Sequence, residues 1–298
     1  MKTSINKSYV LVTAAYNEER FIAKTIESVV SQTVRPKKWI IVSDGSTDQT
    51  DSIVDSRSRD YDFIRLHRIC DPHPRNFAAQ VNAINAGYAL LKDLQFDFFG
   101  NVDADVSFAP SYYEQLLAKF EEDTTLGLGG GCIHEEINGA FLSRRGNSTR
   151  AVAHAIQLFR RECYEMVGPY VPLPYGGPDW VAEVVARHKG WRVRSFTELP
   201  VHHYRPTCSA GGLIRGRYRQ GLMDHSLGCD PVFEVFKCLS RLSASPFLIG
   251  ALARFSGFVW ASCRRFPPAV PRDISEFLKA EQRARVRSIF RSIREHAS

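Results

Sequence analysis

An apolar run that stops on two aspartates, Asp97-Phe98-Phe99-Gly100-Asn101-Val102-Asp103-Ala104-Asp105, constrains this chain more than any other segment. The run reads as a buried strand, and its carboxylates fall at the carboxyl end, where open α/β sheets bind their ligands. Hard oxygens so placed suit Mg²⁺ or Mn²⁺, and such an ion suits a diphosphate. Taken alone, Asp-x-Asp is more often a solvated turn, so the flanking segments decide between the two.

Tyr9 to Ala14 reads as a first buried strand. It is followed by Tyr16-Asn17-Glu18-Glu19 and an amphipathic helix with Ile22, Ile26, Val29 and Val30 on one face. Asn17 is the expected N-cap, with acids just inside the helix start. A second strand, Trp39 to Val42, ends in Ser43-Asp44-Gly45-Ser46-Thr47-Asp48, where Gly45 permits a tight turn and Asp48 can start the next helix. A third, Phe63 to His67, precedes a helix that opens at Arg75-Asn76-Phe77 and runs to about Leu91. Gly129-Gly130-Gly131 lies in a strand, Leu126 to Ile133, with no Lys-Ser or Lys-Thr helix start behind it. It is therefore a place of close backbone approach and not a phosphate loop.

Three of these segments, Val12-Thr13-Ala14-Ala15-Tyr16-Asn17-Glu18-Glu19, Val42-Ser43-Asp44-Gly45-Ser46-Thr47-Asp48 and Asp103-Ala104-Asp105, resemble in order and spacing the nucleotide-sugar half of the inverting glycosyltransferases of family 2. The resemblance spans roughly residues 8 to 205. It implies an α/β class protein of the GT-A (Rossmann-like nucleotide-binding) kind, a mixed sheet flanked by helices, with a helical C-terminal extension. The expected division is a catalytic domain at 1–205 and a basic helical extension at 206–298.

By the same resemblance Thr13, Tyr16, Glu18, Asp44, Asn82 and Asp103 bind the nucleotide sugar, and Asp105 holds the metal. The family usually has two adjacent acids where this chain has Ser43-Asp44, so a UDP-sugar is favoured on one acid alone. Gly176-Gly177-Pro178-Asp179 stands where the family carries its general base, which makes Asp179 the catalytic candidate. Proline in the first helical turn leaves that placement intact. In Val201-His202-His203, alternation turns one imidazole into the cleft, and His202 better matches the family's position as the further metal ligand. Gln157, Arg160 and Arg75 are candidates for acceptor or phosphate contacts.

The charge is uneven. From Arg205 onward there are 16 Lys+Arg and 7 Asp+Glu, so the chain's net +7 arises in its last third. That third reads as helices, including an apolar stretch from Phe247 to Cys263 with Arg254 at its centre. The stretch is too short and too charged to span a bilayer, and fits either an anionic membrane surface or a packed helix. No nucleic-acid module accompanies the basic charge. No secretory signal is expected, and seven cysteines without a Cys-x-x-Cys pair fit a reducing compartment.

Together these readings lead to a metal-dependent enzyme of cell-surface polysaccharide or glycolipid synthesis. It is expected to be cytoplasmic or peripheral on the inner membrane face, with an acceptor hydroxyl that a lipid carrier could present. The competing readings are a non-catalytic nucleotide-sugar-binding protein and a sugar-nucleotide nucleotidyltransferase. The second lacks a glycine-rich turn with Arg and Lys near Val10 to Arg20.

Overall fold

The computed structural model describes residues 7–70, 77–137, 139–144, 147–205, 212–242 and 247–297. They form two compact units, Met1–Pro172 with Pro178–Thr207, and Leu173–Gly177 with Cys208–Ser298.

The first unit is an α/β sheet built from β1 (Tyr9–Ala15), β2 (Lys38–Ser43), β3 (Ile64–Arg68), β4 (Phe98–Val102), β5 (Val106–Phe108), β6 (Leu126–Ile137), β7 (Ala140–Ser143), β8 (Ile156–Arg160) and β9 (Arg192–His203). The order is β3-β2-β1-β4-β8-β6-β9-β5, with β7 paired to β6. The first four strands are parallel, β8 is antiparallel to both neighbours, and β9 is parallel to β6 but antiparallel to β5. Helices α1 (Ile22–Val30), α2 (Thr50–Asp60), α3 (Phe77–Ala89), α4 (Tyr112–Glu122), α5 (Arg161–Val167) and α6 (Pro178–His188) connect the strands.

Alternation along the strands explains why both faces of this sheet are apolar. Tyr9, Leu11, Trp39, Ile41 and Phe98 enter one core, while Val10, Val12, Ile40, Val42 and Phe99 enter the other. The glycine-rich strand behaves as its sequence implies. A Cβ on Gly131 would lie 2.1 Å from the Leu199 carbonyl oxygen, and one on Gly130 would lie 2.5 Å from that of Ile156. Side chains there would force β6 away from its neighbours.

The second unit contains α7 (Leu213–Ser226), α8 (Pro231–Leu239), α9 (Ile249–Cys263) and α10 (Arg272–Ala297). Asp230 starts α8 by accepting from the Val232 and Phe233 amides, with Pro231 in the first turn. Helices α7 and α9 cross closely at Gly221 and Gly257, where an added Cβ would lie 1.9 Å from the Arg254 carbonyl and 2.1 Å from that of Tyr218.

Candidate active site

The turns after β1 and β2 lock together because their strands are in parallel register, with Ala15 opposite Ser43. Asn17 adopts a left-handed φ of 52°, and its Oδ1 accepts from the Thr47 amide at 2.8 Å. It therefore does not cap α1, which starts five residues later at Ile22. The Glu18 amide donates to Thr50 Oγ1 at 2.7 Å, and the Asp44 amide donates to the Ala15 carbonyl at 3.0 Å. The result is a braced wall carrying Tyr16, Glu18 and Asp44 at the carboxyl ends of two parallel strands, with Gly45 in a positive-φ turn.

The end of β4 adds the two aspartates. Asp103 Oδ1 accepts from Gln80 Nε2 of α3 at 3.0 Å and lies 3.6 Å from His154 Nδ1. Asp105 is 3% exposed, and its backbone carbonyl accepts from the Tyr204 amide at 3.0 Å. Ligating atoms of Asp103, Asp105 and His203 all lie within 4.8 Å of one another. His203 Nε2 is 3.3 Å from Asp105 Oδ1, whereas His202 stacks on Phe141 with ring centroids 4.1 Å apart. The structure thus brings His203, and not the expected His202, to the two aspartates. Pairing of β9 with β5, in which Val106 faces His203, sets the phase that brings His203 beside Asp105.

Two carboxylates and one imidazole form a donor set that fits Mn²⁺ or Mg²⁺. A cationic side chain already sits at this place. Arg205 donates from Nε to Asp105 Oδ2 at 2.7 Å and from Nη2 to Glu18 Oε1 at 2.5 Å. The other Glu18 oxygen is buried and has no hydrogen-bond partner among the described residues. Burial pushes the Glu18 carboxyl up to about 7 against the opposing pull of Arg205, with Asp105 and Asp103 adding to the rise. Burial acts the same way on Asp105, but His203 and Arg205 outweigh it and hold that carboxyl below its ordinary range. One guanidinium cannot neutralise every acid here, so the better-paired Asp105 keeps its charge and Glu18 is the more easily protonated of the two. His203 is lowered by burial and raised by Asp105, Asp103 and Glu135, ending above the usual histidine value.

Asp179 is the second residue of α6 and borders a pocket of about 110 Å³ with Trp180, Asn147, Arg144 and Glu183. Its negative field reaches His154 and Tyr170, both of which also respond to Asp103. Burial lowers His154, yet its contacts with Asp103 and the field of Asp179 leave its pKa raised. Burial and Asp179 push the Glu183 carboxyl up against the opposing pull of Arg187 and of the Val152 amide, from which one of its oxygens accepts at 2.6 Å.

The other expected contacts stand elsewhere. Arg160 points its guanidinium at the Phe120 and Leu126 carbonyls, at 2.8 and 3.3 Å. Gln157 is buried, donating to the Val152 carbonyl at 3.0 Å and accepting from the Tyr170 hydroxyl at 2.5 Å. Both polar groups are used inside the unit, so neither presents an end to an acceptor. The whole of Thr13 is likewise buried, and its hydroxyl accepts from Trp39 Nε1 at 3.0 Å. Asn82 is half-buried on α3, two residues from Gln80. Arg75 lies outside the described residues. Sequence reading missed Gln80, His154, Glu183 and Arg205. Only Arg205 had a usable signal, a basic residue two positions beyond a candidate metal ligand.

Residues 10–172 match the profile of glycosyl transferase family 2, and the chain belongs to that family as a glycosyltransferase enzyme. It is 29% identical over 241 residues to the poly-beta-1,6-N-acetyl-D-glucosamine synthase of Staphylococcus epidermidis, covering 72% of this chain and 54% of that protein. The curated relatives it matches are longer, and the chain spans about half their length or less. In fold it is similar to the mannosyltransferase PcManGT from Pyrobaculum calidifontis, solved with GDP-Man and Mn²⁺, at a TM-score of 0.55 and 14% identity, covering 96% of this chain and 82% of that one. It is equally similar to GalNAc-T7, solved with UDP, GalNAc and Mn²⁺, at a TM-score of 0.55 and 14% identity, covering 88% of this chain and 58% of that one.

Proposed function

We propose that this glycosyltransferase is metal-dependent and inverting, and that it moves a sugar from a nucleoside diphosphate sugar to an acceptor hydroxyl in the assembly of a surface polysaccharide or glycolipid. The observation that carries the reading is the cluster of Asp103, Asp105 and His203 at the strand ends, with Asp179 acting electrostatically on the same His154 and Tyr170 that Asp103 does.

Inversion by direct displacement needs a base on the acceptor and a stabilised diphosphate leaving group. Asp179 accepts the proton of the acceptor hydroxyl as that oxygen bonds to the anomeric carbon and the carbon–oxygen bond to the diphosphate breaks. The pocket beside it, lined by Trp180, Arg144 and Asn147, is the place for the acceptor, with Trp180 as a flat face. The nucleoside lies against Tyr16 and Asp44, with Asn82 bordering the sugar side. A divalent ion held by Asp103, Asp105 and His203 supplies positive charge for the diphosphate when bound. With only Asp44 to read the base, a UDP-sugar is the first choice and a GDP-sugar the alternative to test beside it. The setting that fits the basic C-terminal third is a cytoplasmic enzyme peripheral on the inner face of the cell membrane.

Titrating UDP and GDP with and without Mn²⁺ against the wild type and Asp105→Ala tests the assignment. Metal-dependent binding is expected to vanish in the folded variant. Unchanged affinity would remove the metal site from the mechanism.

A further inference from the structure

Helix α9 is apolar on two sides, and only one of them is covered among the described residues. Gly250, Ala251, Arg254, Gly257, Phe258 and Ala261 are buried within the second unit. The opposite side exposes Ile249, Leu252, Phe255, Val259 and Trp260, with Leu252 at 64% and Trp260 at 47%. These positions recur at helical spacing and form one ridge along nearly the whole helix. Ser256 and Cys263 share the ridge, and no charged residue interrupts it. Phe247 and Leu248, just before the helix, are exposed as well. Single exposed apolar residues are ordinary, but an uninterrupted ridge of this length marks a surface that something covers.

We propose that this outer face of α9 docks on an anionic lipid surface, with the helix lying in the plane of the membrane. Charge identifies the occupant. Residues 208–298 hold 15 Lys+Arg against 7 Asp+Glu, so the unit that carries the ridge is strongly basic. Exposed Arg264 and Arg265 follow the ridge directly, and the Arg264 guanidinium sits 4.6 Å from the Trp260 ring centroid. An indole capped by arginine at the end of an apolar face matches the chemistry of the headgroup boundary, where Trp and basic side chains settle while aliphatic groups enter the acyl layer. The helix lies flat and does not span. Among the described residues no helix is long and apolar enough to cross a membrane, and Arg254, midway along α9, is committed to Asp224 and Glu234 inside the unit. The proposal gives the membrane-peripheral setting a definite surface, and its test uses neither sugar nor nucleotide, so its failure leaves the catalytic reading untouched.

The intact chain is mixed with phosphatidylcholine vesicles, with or without phosphatidylglycerol, at low and high salt, and bound protein is measured by co-sedimentation. Binding is expected only where the anionic lipid is present, weakened by salt, as basic groups near such a leaflet require. Leu252→Glu with Val259→Glu is expected to lower vesicle binding by roughly tenfold or more, since two apolar contacts with lipid are lost. Far-UV circular dichroism and thermal midpoint should not change, because both side chains already face solvent. Trp260 emission is expected to shift to the blue on anionic vesicles and to lose that shift in Trp260→Phe. No binding to anionic vesicles at low salt would overturn the proposal, as would equal binding to neutral vesicles. Equal binding by the double-glutamate variant would overturn it too. If the wild type forms dimers in sedimentation velocity that the variant abolishes, and neither binds vesicles, the ridge is a contact between copies of this chain and the lipid proposal falls.

Discussion

Each unit contains an arginine that bridges an aspartate and a glutamate, and the two bridges differ mainly in burial. Arg205 reaches Asp105 and Glu18 from a side chain that is 48% exposed, while Arg254 joins Asp224 and Glu234 from one that is 4% exposed. The Arg254 cluster is closed on every side. Lys237 adds a 2.8 Å contact to Asp224, and Gln220 Oε1 accepts from Arg254 at 3.0 Å. Burial works to discharge Asp224, but Lys237 and Arg254 hold it ionised; Glu234, buried and repelled by Asp224, is shifted the other way. The same three side-chain types therefore make a permanent fastening in one unit and a replaceable cation in the other. Water access decides which, because an exposed pair is worth little and can separate, whereas a buried one cannot lose a member cheaply.

Removing each arginine gives the largest expected contrast. Arg254→Ala leaves two acids in the interior of the helical unit and is expected to cost about 3–5 kcal/mol in urea unfolding. Arg205→Ala is expected to cost about 1 kcal/mol or less, since its guanidinium is half in water already. Similar losses for the two variants would break the comparison.

Next in size is the chemical step. Asp179→Asn keeps the shape of the helix start and removes the proton acceptor, so transfer should fall by about 10²-fold or more while Mn²⁺-dependent nucleotide binding stays near the wild-type value. Near-normal transfer to a verified acceptor would move the base elsewhere, with the neighbouring Glu183 the next residue to change.

How much of this was legible in the sequence follows from the range of each interaction. The buried strands, the Gly45 turn and the close approach at Gly130 and Gly131 are local, and alternation or a missing side chain announced them. Asn17 misled because a good capping residue had a stronger partner in the Thr47 amide, thirty residues away. Gln157 and Arg160 were candidates because the family resemblance puts their segment before the acceptor side of the cleft, yet their partners lie in other segments, at Tyr170 and at Phe120, that no local pattern reveals. Arg254 was readable as an obstacle to spanning, but not as half of a fastening whose acids come from α7 and α8. The histidine pair shows the same limit. Alternation says that one ring faces inward, and only the pairing of β9 with β5 says which.

A smaller effect sharpens the claim that Arg205 is replaceable. If it holds the position of a cation, Arg205→Ala should strengthen binding of Mn²⁺ alone by roughly fivefold to tenfold, the factor that about 1 kcal/mol from a half-exposed pair corresponds to. Electron paramagnetic resonance of free Mn²⁺ reads this without donor or acceptor. Weaker binding in the variant would instead make Arg205 a group that prepares the site for the metal.

A pH slope separates the two histidines. His203 carries a raised pKa in the metal-free protein because Asp105 outweighs its burial, whereas burial and His134 lower that of His202. In the metal-free state the His203 proton stabilises the fold below the ordinary histidine range, and that contribution is lost as pH rises through the raised value. Metal binding runs the opposite way, since a ligating imidazole must be neutral and the ion competes with the proton. Mn²⁺ affinity should therefore rise between about pH 6 and pH 8, by at most about tenfold per unit below the His203 pKa, and then level off. Asp105, held below its normal range, stays ionised throughout and adds no slope. His203→Gln should make the profile shallower, leaving the part that Glu18, pushed up to about 7 beside Arg205, contributes in the same window, while His202→Gln should leave it intact. The reverse result would return the ligand role to His202, and a flat wild-type profile would remove histidine from the metal site.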